Sequence, residues 1–353
     1  MASVTIRDVA KLAGVGVGTV SRVLNNHPSV SPSAREAVET AIAQLEFTPS
    51  PSARRLQSGK TYTIAAIVPF FTLPSFVERL QGVVAALEET AYDVVIYNVE
   101  TVERRDHYLK TLPRRQRFDG LLIVSLPLSD REAASLSHSG LPTVLIDSRQ
   151  PAFRRVVIDD VCGGRLATEH LISLGHERIG YVSDQLGSPF GFVAGRHRLE
   201  GYHQALSAAG LPIRPDYHAA ALWHGVPQAR QAAAELLRLT PRPTAIFASS
   251  DVQAIGVMQA AQDAGLQVPN DLSIIGFDDI YLAEYMHLTT IHQPLFTSGV
   301  EGVALLLDLI QQPDRVASTV SLDVRPVVRQ TTAPPSPNHT LHKHSLGALT
   351  GAA

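Results

Sequence analysis

The sequence predicts a small all-α head followed by a much larger α/β core. Residues 1–47 contain three short stretches with helical periodicity and no strand-like run. From residue 61 to residue 332, short β-branched runs alternate with amphipathic stretches, which is typical of parallel sheets flanked by helices. At 353 residues the chain exceeds the usual size of a single hydrophobic core, so we expect more than one domain.

Three helices are predicted within residues 1–47. Thr5 can cap the first helix in a Thr-x-x-Asp pattern, and Gly14 ends that helix. A second helix begins near Val17, and a third is capped by Ser31 with a proline at its first position. The residues predicted to face inward are Val9, Ala10, Leu12, Ala13, Val20, Val23, Leu24, Ala34, Val38, Ala41, Ile42 and Leu45. Two helices around a glycine turn, buttressed by a third, predict a helix-turn-helix.

The second helix of this motif would enter the DNA major groove. It would present Val17, Gly18, Ser21, Arg22 and Asn25. The alternative is an ordinary three-helix bundle without a DNA role. Charge favours DNA, because residues 1–60 carry seven basic and four acidic side chains whereas the whole chain has a net charge of −3. The glycines of residues 14–18 do not form a dinucleotide loop, since their spacing is GxGxG and no strand precedes them.

Residues 48–60 are predicted to form a hinge. Ser50 and Pro51 can start a helix that is too short to be stable alone in water. Two such helices in a minor groove could insert paired Leu56 side chains between base steps, while Arg54 and Arg55 hold phosphates. The alternative is a plain solvated linker.

The core is predicted to contain two α/β subdomains that face a cleft. Strands are predicted at 64–69, 94–98, 120–125, 143–147, 155–159, 178–183, 245–248, 273–277 and 289–292. Helices are predicted at 76–90, 163–174, 198–209, 228–239, 252–264 and 298–311. These strands are more numerous than a single sheet most often contains, so two sheets are expected. Because open α/β sheets bind ligands at the carboxyl ends of their strands, polar residues there are the candidates for a binding site.

Several classes of protein are disfavoured by the sequence. The single cysteine, Cys162, excludes an intrachain disulfide and fits a reducing cytoplasm. We expect no signal peptide and no membrane span, because no apolar run approaches about 20 residues. Strand-linked GxGxxG, P-loop and Gly-x-Ser-x-Gly patterns are missing from the sequence, so we predict no catalytic residue, cofactor or metal. The tail at 333–353 contains three histidines but is predicted to be disordered.

The ordered motifs resemble those of the LacI/GalR family of bacterial transcription regulators over residues 3–333. They are TxxDVAxxAGV from Thr5, TVSRVLN from Thr19, Ala53-Arg54 with Leu56, LGHxRI from Leu174, RxxGY from Arg198, AIFAxxD from Ala245, VPxDLS from Val268 and GFDD from Gly276. The resemblance implies a cytoplasmic, nucleoid-associated homodimer that reads a near-palindromic operator. It also implies a core like periplasmic sugar-binding proteins, with doubly wound parallel-sheet subdomains at about 61–160 plus 292–321 and 161–291 plus 322–332.

The resemblance also implies roles for individual residues. The DNA-binding set is Thr5, Val17, Gly18, Thr19, Ser21, Arg22, Asn25, Ala53, Arg54 and Leu56, in which residues 17, 18 and 22 read bases and Leu56 is the minor-groove wedge. The effector-binding set is Asp147, Arg198, Ser250, Asp251 and Asp278, with Trp223 as an apolar face for a sugar ring and Phe71 from the apolar loop 70–74. Asp159 and Asp279 are expected to be capping or cleft-edge residues instead. A guanidinium fork and carboxylate acceptors suit a polyhydroxylated effector, a sugar or sugar derivative, with nucleosides as the other class.

Some residues depart from the family pattern. Gly16 replaces a serine that usually caps the recognition helix. Val17 and Gly18 offer no side-chain hydrogen bond to a base, so Arg22 should be the principal reader. Ser250 replaces the customary asparagine, and the identity of the effector stays open. The sequence thus predicts an effector-switched transcriptional regulator, most simply a repressor. The alternatives are a solute-binding protein of a sugar transporter and a nicotinamide-dependent enzyme built on the same core.

Overall fold

The computed structural model describes residues 4–24, 27–47, 60–114, 117–187, 189–221 and 224–336. The chain divides into two compact units, Met1–Tyr62 and Thr63–Ala353. Among the described residues, no helix is long and apolar enough to cross a membrane.

The first unit is a three-helix head. Its helices are α1 (Ile6–Leu12), α2 (Val17–Leu24) and α3 (Pro32–Gln44). Val9, Val20 and Val38, one from each helix, are fully buried against one another. Gly14 ends α1 with a φ of +66°, a left-handed conformation that other residues adopt only at a cost. Leu12 is 50% exposed, so the prediction that it faces the core is wrong.

A capping interaction fixes the start of α1. The Asp8 carboxylate accepts hydrogen bonds from the Thr5 backbone N–H at 2.8 Å and from the Thr5 hydroxyl at 2.7 Å. These bonds from Thr5 lower the pKa of Asp8. The Thr-x-x-Asp pattern therefore begins a helix where the sequence predicts one.

The second unit contains a parallel six-stranded sheet. Its strands are β1 (Thr63–Pro69), β2 (Asp93–Val99), β3 (Gly120–Val124), β4 (Thr143–Ile146), β5 (Arg154–Ile158) and β11 (Thr319–Leu322), in the spatial order β11-β5-β4-β3-β1-β2. Helices α4 (Pro74–Leu87), α5 (Val102–Thr111), α6 (Asp130–Ser139) and α12 (Leu295–Gln311) belong to this first subdomain. The central strands β1, β3 and β4 are almost completely buried, as a parallel sheet with helices on both faces requires.

A second subdomain of the same unit contains a parallel four-stranded sheet. Its strands are β6 (Ile179–Asp184), β7 (His218–Ala221), β8 (Ala245–Ala248) and β9 (Ser273–Ile275), in the order β7-β6-β8-β9. The associated helices are α7 (Asp160–Ser173), α8 (Ala194–Ala208), α9 (Val226–Leu237), α10 (Asp251–Asp263) and α11 (Tyr281–Tyr285). An antiparallel pair, β10 (Thr290–His292) and β12 (Arg325–Val327), lies where the chain passes between the subdomains.

The predicted fold class is confirmed, with a few elements added. Strands β7 and β11 and helices α5, α6 and α11 were not predicted. The tail was predicted to be disordered from Ala333, but this residue is part of the folded unit. Its carbonyl accepts a hydrogen bond from Ser273 Oγ at 2.9 Å and its N–H donates to the same oxygen at 3.0 Å. Residues 337–353 lie outside the described residues.

Candidate functional site

A cavity of about 750 Å³ lies between the carboxyl ends of the two parallel sheets. Residues that end strands of both sheets or lie within two residues of a strand end line it, namely Phe70, Ser125, Asp147, Asp184, Ser249 and Ser250. Asp278 lies on the same wall shortly after β9. This is the position at which open α/β sheets bind ligands, as the sequence predicts.

The backbone turns sharply at several of these strand ends. Phe70, Ser125, Asp147 and Asp278 have φ values of 43°, 50°, 57° and 119°. Residues other than glycine rarely adopt positive φ, and those that do cluster at functional sites because the surrounding structure must hold them there. The cavity wall is therefore built from backbone that is more constrained than an ordinary loop.

Arg198 on α8 is the centre of the polar wall. Its Nε donates to Asp160 Oδ1 at 2.9 Å, and its Nη1 donates to the Ser249 carbonyl at 2.5 Å. The same Nη1 lies 3.6 Å from Asp278 Oδ1. The guanidinium carbon is 3.6 Å from the centre of the Phe277 ring. Two carboxylates, a carbonyl and an aromatic face thus hold a side chain that is 8% exposed.

Close packing of α7 against α8 brings Asp160 to Arg198. A Cβ atom on Gly164 would lie 2.1 Å from the Arg198 carbonyl oxygen, and one on Gly201 would lie 2.0 Å from the Val161 carbonyl oxygen. Only glycine permits this approach of the two helices. Asp159 caps α7 by accepting the Cys162 N–H at 3.0 Å, which is the capping role predicted for it.

The two carboxylates beside Arg198 have raised pKa values. Burial raises the pKa of Asp278 to about 6, although Arg198 opposes the shift. Asp278 Oδ1 also accepts a hydrogen bond from Gln293 Nε2 at 2.5 Å. Burial likewise raises the pKa of Asp160 against the effect of Arg198. The polar wall therefore contains carboxylates that take up protons more readily than exposed ones.

Asp147 and Arg79 supply the polar wall of the first subdomain. Asp147 Oδ2 accepts a hydrogen bond from the Ser125 hydroxyl at 2.7 Å and lies 3.5 Å from Arg79 Nη2. Arg79 is buried, and its Nε has no hydrogen-bond partner among the described residues. Arg79 was not predicted as a site residue, because a single arginine within a helix is normally exposed.

A hydrogen-bonded chain continues the polar wall in the second subdomain. His224 Nδ1 lies 2.9 Å from Asp184 Oδ2, and Gln253 Nε2 donates to Asp184 Oδ1 at 2.7 Å. Burial alone would lower the pKa of His224, but Asp184 outweighs it and the pKa is raised. None of these three residues was predicted, since they are far apart in the sequence.

Three phenylalanines form an aromatic wall of the cavity, Phe70, Phe190 and Phe192. The rings of Phe190 and Phe192 are stacked, with centroids 5.3 Å apart and an interplanar angle of 12°. Phe70 meets the Phe190 ring edge-on at 5.3 Å. Phe190 follows a strand of the second subdomain but is buried in the core of the first, together with Leu126 and Leu145. The loop that carries Phe190 and Phe192 therefore bridges the cleft.

Two residues predicted to contact an effector do not line this cavity. Phe71 is 37% exposed outside it, and its neighbour Phe70 takes the place on the wall. Asp251 is fully buried at the start of α10, where its carboxylate accepts hydrogen bonds from Thr290 Oγ1 and the Ile280 N–H. Asp251 thus anchors the segment that returns from β9 and is not free to bind a ligand.

The remaining predicted residues of the core have varied positions. Ser250 lines the cavity and also caps α10, because its Oγ accepts the Gln253 N–H at 3.2 Å. Asp279 pairs with Arg329 at 2.7 Å and with His292 at 3.0 Å, in agreement with its predicted structural role. Trp223 lies outside the described residues.

The predicted DNA-reading face of the head is exposed. Thr5, Val17, Gly18 and Arg22 are exposed, and Thr19 and Ser21 are partly so. Val17 is a large apolar side chain with 42% exposure, and a Cβ on Gly18 would meet no atom within 4 Å. Packing within the head therefore does not require these residue types. Asn25, Ala53, Arg54 and Leu56 lie outside the described residues.

Comparison with known proteins identifies relatives along almost the whole chain. The model of bacterial regulatory proteins of the lacI family matches residues 5–50, and that of a periplasmic binding protein-like domain matches residues 168–332. The ribose operon repressor of Escherichia coli (strain K12) is 37% identical over 318 residues, which cover 88% of this chain and 94% of the relative. The PurR transcriptional repressor of Aliivibrio salmonicida is 35% identical, covering 87% and 92%.

A solved structure indicates the same family as these relatives. The Lac repressor dimer bound to operator and the anti-inducer ONPF is similar, with a TM-score of 0.83 and 30% identity, covering 94% of this chain and 100% of that one. The chain therefore belongs to the lacI family of bacterial regulatory proteins.

Proposed function

We propose that this chain is a transcriptional repressor that binds operator DNA as a homodimer in the cytoplasm and is switched by a small molecule. The observation that carries the proposal is a preformed polar cavity, centred on Arg198, in the same chain as a helix-turn-helix head with an exposed second helix. The relatives named above are repressors, and one of them is a dimer bound to operator DNA and an anti-inducer. The chain acts by binding, and we assign it no catalytic step.

The exposed side of α2 suits the DNA major groove. Arg22 can donate two hydrogen bonds to a guanine, and Val17 can contact a thymine methyl group. Gly18 leaves room for a close approach to the bases. Thr5, Thr19 and Ser21 can donate hydrogen bonds to phosphates, which position a protein on DNA without reading its sequence.

Exposed apolar side chains on the first subdomain support the dimer. Val77 and Val84 on α4, Ile96 on β2 and Phe296 on α12 are each 37–49% exposed. Strand β2 is an edge strand of the six-stranded sheet, and α4 packs directly on α12. Several exposed large apolar side chains in one subdomain are typical of a protein–protein interface.

The polar wall supports a polyhydroxylated effector such as a sugar. Arg198 supplies donors, and Asp147 and Asp278 supply acceptors, from two different subdomains. A ligand bound to all three would connect the subdomains and favour one arrangement of the cleft. Coupling of about 1–3 kcal/mol between effector and DNA would change operator affinity by roughly 5–150-fold.

DNA binding measured by fluorescence anisotropy tests the proposal. The chain should bind DNA from upstream of its own gene more tightly than random DNA, and Arg22→Ala should remove most of this preference. Arg131→Ala is the matched control, because it removes an exposed arginine from α6, which belongs to the α/β unit and not to the DNA-binding head. Equal binding of the wild-type chain to both DNAs, with tight binding of a sugar, would favour a solute-binding protein instead.

A further inference from the structure

A hydrogen bond joins the two subdomains close to residues that line the cavity. Glu78 lies on α4 of the first subdomain, and its Oε1 accepts the Tyr281 N–H, at the start of α11 in the second subdomain, at 2.7 Å. Arg79, next to Glu78, lines the cavity, and so does Asp278, three residues before Tyr281. Both partners of this bond are therefore close in sequence to polar groups of the cavity wall.

The segment 278–281 has a constrained backbone. Asp278 and Asp279 have φ values of 119° and 59°, which residues other than glycine keep only where the surrounding structure holds them. Ile280 is 1% exposed, and its N–H donates to Asp251 Oδ2 at 3.0 Å. The segment is therefore held firmly, so movement of one end should move the other.

The two ends of this segment contact different parts of the molecule. At one end, the Asp278 carboxylate lies 3.6 Å from Arg198 and accepts a hydrogen bond from Gln293. At the other end, the Tyr281 N–H donates to Glu78 of the first subdomain. A ligand that binds to Asp278 or Arg198 would therefore act on the same segment that contacts the first subdomain.

The Glu78 carboxylate makes its bond in a partly buried position. Burial raises the pKa of Glu78, the Tyr281 N–H opposes the shift, and the nearby Asp279 carboxylate adds to it. A hydrogen bond to an ionised carboxylate is stronger than one between neutral groups, whereas burial and a second carboxylate disfavour the charge. These opposing effects suit a contact that forms in one arrangement of the cleft and breaks in another.

We propose that Glu78 is a positioning residue of the switch, and that its hydrogen bond to the Tyr281 N–H is a latch between the cavity and the first subdomain. With the latch closed, the first subdomain is held to the segment that carries Asp278. With the latch open, the first subdomain can move relative to that segment. The inference rests on the proposed function, because it assumes that this movement changes DNA binding. It goes further by assigning the contact that controls the movement.

Tyr281→Pro removes the donor of the latch with little other change. Proline has no N–H and is well accepted at the first position of a helix. Ile280 before it has φ −62° and ψ 156°, an extended conformation that is compatible with a following proline. Tyr281→Ala is the matched control, because it removes the same exposed side chain but keeps the N–H. Glu78→Ala removes the acceptor, and Glu88→Ala, which removes an exposed acid just after α4, is its control.

Fluorescence anisotropy on the full chain, with DNA from upstream of its own gene, tests the coupling. Tyr281→Pro and Glu78→Ala should each change the affinity for this DNA by about five-fold or more, because the latch no longer favours one arrangement of the cleft. Both controls should stay within about twofold of the wild type. The double variant should resemble the single variants, since both substitutions remove the same bond.

Hydrogen exchange of the full chain, followed by mass spectrometry, tests the latch without DNA. Glu78→Ala changes the first subdomain, but it should accelerate exchange of the amides of residues 276–280 in the second subdomain by about ten-fold. Glu88→Ala should leave this exchange unchanged. If Tyr281→Pro does not fold, Glu78→Ala and its control supply both measurements.

Three results would overturn the inference. They are unchanged exchange at residues 276–280 in Glu78→Ala, DNA affinity of Glu78→Ala equal to that of Glu88→Ala, and equal DNA affinities of Tyr281→Pro and Tyr281→Ala. If the wild-type chain prefers the upstream DNA but the variants do not differ from their controls, the proposed function stands and only this inference fails. If the wild-type chain has no such preference, the proposed function fails while hydrogen exchange still tests the latch.

Discussion

Replacement of Arg198 with methionine tests the electrostatics of the polar wall. The change keeps an unbranched apolar stem but removes the guanidinium cation between Asp160 and Asp278. Both carboxylates are buried, and removal of one partner of a buried ion pair costs about 3–5 kcal/mol. For a unit of this size we expect the melting temperature to fall by about 6 °C or more at neutral pH.

The loss of stability in Arg198→Met should depend on pH, and the direction of this dependence can be predicted. Burial already raises the pKa of Asp278 to about 6 in the presence of Arg198, and removal of the cation raises it further. A carboxyl whose pKa is higher in the folded state than in the unfolded state loses stability as pH rises from its unfolded to its folded value. Arg198→Met should therefore be more destabilising at pH 8 than at pH 5.

Urea denaturation followed by circular dichroism at the two pH values measures both effects. Arg214→Met is the matched control, because Arg214 also pairs with an aspartate, Asp216, at 2.6 Å and lies over the ring of Tyr217 at 4.3 Å, but at the surface. This control should change stability little at either pH. Addition of Asp160→Asn to Arg198→Met should recover part of the loss. The reasoning is refuted if Arg198→Met and Arg214→Met have equal effects.

Three further predictions concern the effector, the dimer and the hinge. Effector affinity should fall as pH drops below about 6, because protonated Asp278 is a poorer acceptor, and calorimetry on Asp278→Asn should give a flatter pH profile. Val84→Asp should raise the dimer dissociation constant by about 100-fold in analytical ultracentrifugation, since it buries an unpaired charge, whereas Val316→Asp in an exposed loop should not. Leu56→Ala should weaken binding to operator more than to random DNA, and equal losses would exclude a minor-groove wedge.

Local sequence signals predict most of the fold. The β-branched runs at 64–69 and 120–125 became buried parallel strands within one residue of their expected ends, and Ser31 caps α3 as expected. The predicted strands did not include β11, whose four residues alternate between exposed and half-buried at the sheet edge and so have no buried run. Helix α5 was not predicted, because only Leu109 is buried on an otherwise polar helix.

A stronger signal was available for α6. Ser129 and Glu132 form a capping box, with Glu132 Oε2 accepting the Ser129 N–H at 2.8 Å. The Ser-x-x-Glu spacing is visible in the sequence and marks the start of a helix.

The polar chemistry of the site could be predicted from the sequence, but only some of the residues that form the site could be identified. Arg198 and Asp278 were found from motifs, whereas Arg79 lies within an amphipathic helix and only its burial against Asp147 distinguishes it. Phe190 and Phe192 lie in a loop with glycine and proline, where no periodicity marks a buried residue. Their role depends on packing against the other subdomain, which a sequence pattern does not contain.

The reciprocal coupling of effector and operator is the most direct test of the central claim. Operator affinity is measured with and without saturating effector, and effector affinity is measured with and without operator DNA, on the same full chain. Linkage requires both affinities to change by the same factor, which we expect to be roughly 5–150-fold. Two factors that agree within this range would support an effector-switched repressor. A factor of one for an effector that binds in the cavity would contradict the account.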